Sequence, residues 1–252
     1  MNMKVIVVTH KITDLPFGGG YMPICVGPNK DSFPKNIQRD DTGDNIANRN
    51  NQYSELTALY WAWKNLNADY IGIVHYRRYM SKKKCKSLND ILSVEEAMKE
   101  LEKKDIIVVR PRVYLESVKQ HFVNCHRTMK DVSARQLEIL EETIQEETSE
   151  YITSFKKVMN GHSAHMFNMF IMSKKNLDEY CSWMFPILFE TESKIESENI
   201  LFNRLMGSLS EFLLDTWIIK NNKSYKNMRL YQTEMDLFDR VKRFIYRRFL
   251  EK

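Results

Sequence analysis

Residues able to do chemistry crowd one short stretch of this 252-residue chain, His75-Tyr76-Arg77-Arg78-Tyr79. It follows directly on the apolar run Ile71-Gly72-Ile73-Val74, so a buried strand would deliver a histidine and two arginines to a sheet edge. Guanidinium forks bind phosphate oxygens two at a time, and two adjacent ones beside an imidazole suit a diphosphate. The alternative is an ion-pair cluster with nearby carboxylates. A second polar stretch is Thr9-His10-Lys11, followed by Gly18-Gly19-Gly20-Tyr21, which holds three of the chain's eight glycines. A glycine triplet allows positive φ and close backbone approach to a ligand, or simply makes a flexible turn. It is neither a GxGxxG fingerprint nor a Walker loop, so dinucleotide and P-loop chemistry are not indicated. Asp44 and Asn45 precede an aromatic segment and suit either sugar hydroxyls or helix capping. His162, His165 and Asn168 border a further apolar run, while His121, Cys125 and His126 have metal-compatible spacing without completing a recognised zinc site.

The elements that must position these groups alternate between β-rich runs and helical patterns, the signature of an α/β sheet. Strands are expected at 4–9, 70–75, 105–110 and 166–173, each nearly continuous in apolar character, as in a mostly parallel central sheet covered on both faces. Helices are expected at 50–65, 94–103, 135–147, 174–189 and 198–220, with a short strand near 228–232. In such sheets ligands bind at the carboxyl ends of the strands, where His10 and His75 to Arg78 would lie.

Composition bounds the answer. A hydrophobic fraction of 43% with 28% charged residues is ordinary for a globular protein, and nothing divides the chain into two domains. Four scattered cysteines without a CxxC pair, and no leader-like segment, point to a cytoplasmic protein. The net charge is +5, and residues 240–252 carry all of it, leaving a neutral body that offers nucleic acid no basic surface. Val241, Phe244, Ile245 and Phe249 recur there at helical spacing, so 236–252 is expected to form a basic amphipathic helix able to lie on anionic lipid at the inner face of the cell membrane. Docking of its apolar stripe on the core is the other outcome.

Taken together, Thr9-His10-Lys11, Gly18-Gly19-Gly20-Tyr21, Thr42-Gly43-Asp44-Asn45-Ile46, Tyr53-Ser54-Glu55-Leu56-Thr57, Tyr60-Trp61-Ala62-Trp63-Lys64 and above all His75-Tyr76-Arg77-Arg78-Tyr79 resemble a bacterial capsule and exopolysaccharide family long called a domain of unknown function. Asn168-Met169-Phe170-Ile171-Met172 and Glu179-Tyr180-Cys181-Ser182-Trp183 extend the likeness over nearly the whole chain. The resemblance implies a single GT-A-like glycosyltransferase domain over 1–235 with a helical C-terminal part. It also implies a UDP-sugar donor, with galactofuranose or galactose as the sugar, and a lipid-linked glycan acceptor. Donor contacts would then come from Thr9, His10, Lys11, Tyr21, Asp44, Asn45, His75, Tyr76, Arg77, Arg78 and Asn168, and acceptor contacts from His162 and His165. GT-A enzymes usually hold a divalent metal, Mn or Mg, on an Asp-x-Asp; none follows an apolar strand here, and Arg77 or Arg78 would take over part of that charge neutralisation. Glu211 in Gly207-Ser208-Leu209-Ser210-Glu211 resembles the family's Gly-x-x-x-Glu-Arg segment, with Phe212 in place of the arginine, and is expected to act as the catalytic base; Asp215, one turn on, is the other candidate. A non-catalytic, membrane-associated binding protein of the polysaccharide assembly machinery is the competing reading. A nucleotidyltransferase fits less well, because Gly18-Gly19-Gly20 lacks a neighbouring basic residue.

Overall fold

A computed structural model describes residues 2–16, 18–125 and 129–233. The helix expected at 236–252, together with His126, lies outside the described residues. The described residues form ten strands: β1 (Met3–Thr9), β2 (Tyr21–Cys25), β3 (Gln38–Arg39), β4 (Tyr70–His75), β5 (Arg78–Ser81), β6 (Ile106–Val109), β7 (Arg112–Val113), β8 (Ser163–Ala164), β9 (Phe170–Ser173) and β10 (Tyr225–Gln232). Among them run the helices α1 (Asn50–Tyr53), α2 (Leu56–Asn65), α3 (Val94–Leu101), α4 (Val118–Cys125), α5 (Lys130–Glu147), α6 (Ile152–Asn160), α7 (Lys174–Ser197), α8 (Leu205–Ser210) and α9 (Leu213–Lys220).

The main sheet is mixed, which corrects the mostly parallel arrangement expected from sequence. β3, β2, β1 and β4 pair in parallel, but β9 lies antiparallel between β4 and β6, with Phe170 opposite both Ile73 and Val108. No crossover helix separates β8 from β9, so the chain enters β9 from the edge where β4 ends and has to run back along it. β10 then pairs parallel to β6 and antiparallel to β5. Consequently β1, β4, β6 and β10 all point the same way, and their carboxyl ends share one edge.

Both faces of the sheet are covered, as the apolar runs implied. Along β1, Ile6 and Val8 face the larger core, built with α2, α5, α7 and α9, while Met3, Val5 and Val7 face a smaller one closed by α3. At Gly72 in β4, a Cβ would stand 2.7 Å from Ile171 Cγ1, so the absent side chain allows β9 to press close.

Three expected elements are shorter or broken. The 50–65 helix is interrupted at Ser54, with φ 49°, which separates α1 from α2. The 166–173 strand begins only at Phe170, because Phe167 and Asn168 hold φ of 80° and 52°. The 198–220 helix is two short ones, α8 beginning after Arg204 at φ 68°. No described helix is long and apolar enough to cross a membrane.

Candidate functional site

The carboxyl ends of β1, β2 and β4 open onto a cleft of about 630 Å³ lined by His10, Gly27, Asn50, Ser54, Glu55, His75, Tyr76, Arg77, Arg78, Phe167, Arg204 and Glu211. Of the six non-glycine residues with positive φ among those described, Ser54, Phe167 and Arg204 line this cleft and Asn168 adjoins it. Strained backbone persists only where surrounding structure enforces it, and such residues cluster at ligand sites.

The turn at Phe167 and Asn168 organises the floor. Its Phe167 amide donates to Glu211 Oε1 at 2.9 Å, and its carbonyl accepts from His75 Nε2 at 2.6 Å. Asn168 Nδ2 donates to Glu55 Oε1 at 2.8 Å, to Ser210 Oγ at 3.0 Å and to the Gly207 carbonyl at 3.2 Å. The Phe167 ring lies against two guanidinium groups, 4.5 Å from Arg78 and 5.1 Å from Arg112. One turn therefore links both carboxylates of the cleft to its histidine and to an arginine.

Electrostatics follow from that crowding. Burial, reinforced by the charge of Glu55, pushes the Glu211 carboxyl up to about 7, against the Phe167 amide, Arg112 and Arg78, which pull it down. Burial also lowers the His75 pKa, with Arg78 and Arg77 acting in the same direction and Glu55 opposing, so His75 is neutral and donates through Nε2. Burial and then Arg77 lower the Arg78 pKa, and Arg78 Nε is buried without a hydrogen-bond partner among the described residues. A cleft lined by Arg77, Arg78 and Arg204 offers an anion charge-assisted hydrogen bonds.

Other expected site residues are placed as follows. His10 packs edge-on to Tyr76 at 5.1 Å, and Arg77 lies 5.5 Å from that ring, so the two polar runs do meet. Lys11 stands over the outer side of Tyr76 at 6.0 Å, whereas Thr9 is buried and closes a local turn, its hydroxyl donating to the Lys11 carbonyl at 2.6 Å. Tyr21 is not brought to the cleft: it begins β2 at the opposite edge, its hydroxyl donating to the Leu92 carbonyl at 2.6 Å, and the glycine triplet is the turn that leads into it. Asp44 and Asn45 form a loop fastened to α2, where Asn65 Nδ2 donates to the Asp44 carbonyl at 2.7 Å and Asn45 Oδ1 accepts from the Ala47 amide at 3.2 Å. His162 is exposed beside β8, outside the cleft lining.

His165 and Asp215 are partners of each other. Asp215 accepts from the His165 amide at 2.8 Å and from Nδ1 at 2.5 Å, while His165 Nε2 donates to Asn227 Oδ1 at 2.9 Å. Burial opposes charge on this ring, yet the hydrogen bond and charge of Asp215 outweigh it, and the pKa lies above the usual histidine value. Asp215 is therefore engaged in anchoring His165, two residues before Phe167, and Glu211 alone of the two expected bases faces the cleft. Glu55, Phe167 and Arg204 went unrecognised in the sequence. A signal existed only for Glu55, as the acid inside Tyr53-Ser54-Glu55-Leu56-Thr57.

Metal ligation finds little support in the donor set. Among the described residues no group of three or more His, Cys, Asp or Glu side chains converges to hold an ion. Glu55 and Glu211 are the acids of the cleft, and each already accepts a hydrogen bond from the Phe167–Asn168 turn.

Residues 4–223 match the family described as "Domain of unknown function (DUF4422)". The chain belongs to this family. Among solved structures it is similar to the apo structure of the WbbM bifunctional glycosyltransferase, with a TM-score of 0.77 and 25% identity over 93% of this chain. It spans 46% of that neighbour's length. No curated protein matches the sequence. The DUF4422 chain is thus a mixed α/β domain similar in structure to part of a glycosyltransferase.

Proposed function

We propose that this DUF4422 protein is a glycosyltransferase that takes a sugar from a nucleotide-sugar donor held in the cleft. The observation that carries the reading is the convergence of a carboxyl poised near neutrality, Glu211, with Arg77, Arg78 and neutral His75 in one cleft. Arg77 and Arg78 bind the donor's diphosphate, and their charge stabilises the nucleoside diphosphate as the bond to the sugar breaks. Glu211 takes the proton from the acceptor hydroxyl as that oxygen attacks the anomeric carbon, a role that suits a group whose pKa matches the working pH. Phe167 and Asn168 hold Glu211 and Glu55 in place. The arginines carry the charge neutralisation that Asp-x-Asp and a divalent ion supply elsewhere.

The donor we favour is a UDP-sugar, with galactofuranose or galactose as the sugar. The acceptor is a lipid-linked glycan of capsule, exopolysaccharide or O-antigen synthesis, reached by peripheral attachment through the basic segment 236–252. Support for these assignments comes from the family likeness and from the charge of the tail.

Calorimetry of UDP, UDP-galactofuranose, UDP-galactopyranose and UDP-glucose, each with Mn²⁺ and with a chelator, tests the reading. Binding should survive the chelator and weaken at least about tenfold in Arg77→Ala/Arg78→Ala, since losing charge-assisted bonds costs about 1.5–3 kcal/mol each. If no nucleotide binds, the protein is instead a non-catalytic component of the assembly machinery.

A further inference from the structure

Three side chains break the rule that this protein keeps its large apolar groups covered. Among the described residues, Ile12, Val113 and Leu115 are 65%, 80% and 104% exposed, whereas the next most exposed large apolar side chains, Met129 and Tyr225, reach 41% and 42%. The topology puts these three at one edge. Ile12 follows β1, and Val113 and Leu115 follow β6, two strands whose carboxyl ends lie together with that of β4. They flank the cleft: Lys11, next to Ile12, reaches over Tyr76, and Arg112, next to Val113, lies against Phe167. Lys11, Arg110 and Lys119, respectively one, three and four residues along the chain from Ile12, Val113 and Leu115, are exposed cations.

The same edge is where the chain departs toward its basic segment. β10 runs parallel to β6, and at its end the Thr233 amide donates to the Arg77 carbonyl at 3.2 Å. In the sequence, residues 240–252, which carry a net charge equal to that of the whole protein, follow Thr233 after six further residues.

We propose that the cleft-bearing edge of the sheet is itself a membrane-docking face, in which Ile12, Val113 and Leu115 enter an anionic bilayer while the surrounding lysines and arginines meet its headgroups. This inference deepens the proposed peripheral attachment, because it turns the mouth of the cleft toward the lipid surface instead of leaving the body free at the end of a tether. Apolar side chains ringed by cations are the pattern that binds an anionic interface, each cation adding to the attraction and each apolar group to the burial. A protein partner would be expected to offer a larger contiguous apolar patch than three separated side chains. At this edge the bound sugar nucleotide would also stand where a lipid-linked acceptor presents its glycan.

Vesicle sedimentation of the full chain tests the proposal, comparing vesicles of phosphatidylcholine with vesicles that also contain phosphatidylglycerol. Wild type should bind the anionic vesicles and release them as salt rises. Ile12→Ser/Val113→Ser/Leu115→Ser should lower the partition coefficient by about tenfold or more, given the transfer free energy of three apolar side chains, with UDP affinity and melting temperature unchanged. Arg243→Ala/Arg247→Ala/Arg248→Ala should weaken binding separately. Wild-type binding by the triple serine variant, with loss only in the arginine variant, would overturn the docking face while leaving attachment through the tail intact. Absence of wild-type binding to either vesicle would overturn both, and the calorimetric test of the transferase reading is independent of either result.

Discussion

Glu211 is the residue on which chemistry and stability pull in opposite directions. Its pKa is raised from 4.5 to about 7, so folding prefers the protonated form. The stability it contributes is fully present below pH 4.5 and is lost as pH rises through about 7, where the ionised group costs up to ~3 kcal/mol. The proposed base role uses the ionised form, so the rate of the proposed transfer should climb with pH across the same window. Glu211→Gln should lower transfer by roughly 10²- to 10⁴-fold. It should raise the denaturant midpoint at about pH 8 and leave it nearly unchanged at about pH 4, because glutamine carries no charge to bury. Parallel rate and unfolding measurements check both, and a variant that loses stability at high pH would remove the argument for a strained, buried base. The double arginine variant tests the other half of the site, the two guanidinium groups of the cleft lining.

At the scale of elements, the His165–Asn168 segment does the positioning. His165 and Asp215 anchor its start, and Phe167 and Asn168 then adopt positive φ and contact four cleft residues. Asp215→Ala leaves a buried histidine without its counter-ion and should cost about 3–5 kcal/mol in chemical denaturation at neutral pH. The His165 pKa is raised, so the stability it lends is fully present below its reference value of 6.5 and fades as pH rises through the folded value. The gap between wild type and Asp215→Ala should accordingly be widest under mildly acid conditions and narrow in alkaline buffer. A gap that widens with pH would contradict the charged pair.

For the whole molecule, ligand in the cleft should act on several elements at once, because the cleft joins the ends of β1, β2 and β4 to α1 and to the segments that flank α8. A nucleotide at roughly 100 times its dissociation constant should stabilise the native state by about 2.7 kcal/mol, a shift of ~5–10 °C in melting temperature for a domain of this size. Thermal melts with UDP should show that shift in wild type and lose it in Arg77→Ala/Arg78→Ala. The neutral body and cationic tail make salt a second probe, since vesicle binding should fall with ionic strength while the fold does not.

Local pattern carried much of this. Strand β4 with its His75-Tyr76-Arg77-Arg78 extension, strand β1 and helix α3 were legible because burial imposes a period on each element that no distant residue alters. The arginine pair was marked by its place at a strand end and Glu211 by its likeness to a family segment, and the fold brings all three to the cleft lining. Tertiary structure decided the rest. Nothing local marks Ser54, Phe167 or Arg204 for positive φ, since packing enforces strain that intrinsic preference opposes. The mixed sheet depends on the route the chain takes from β8 into β9. His165 and Asp215, fifty positions apart, each read from the sequence as a functional group in its own right, and the fold brings them within 2.5 Å. A buried histidine and a buried aspartate find their most favourable partner in each other, and only the folded chain shows that they meet.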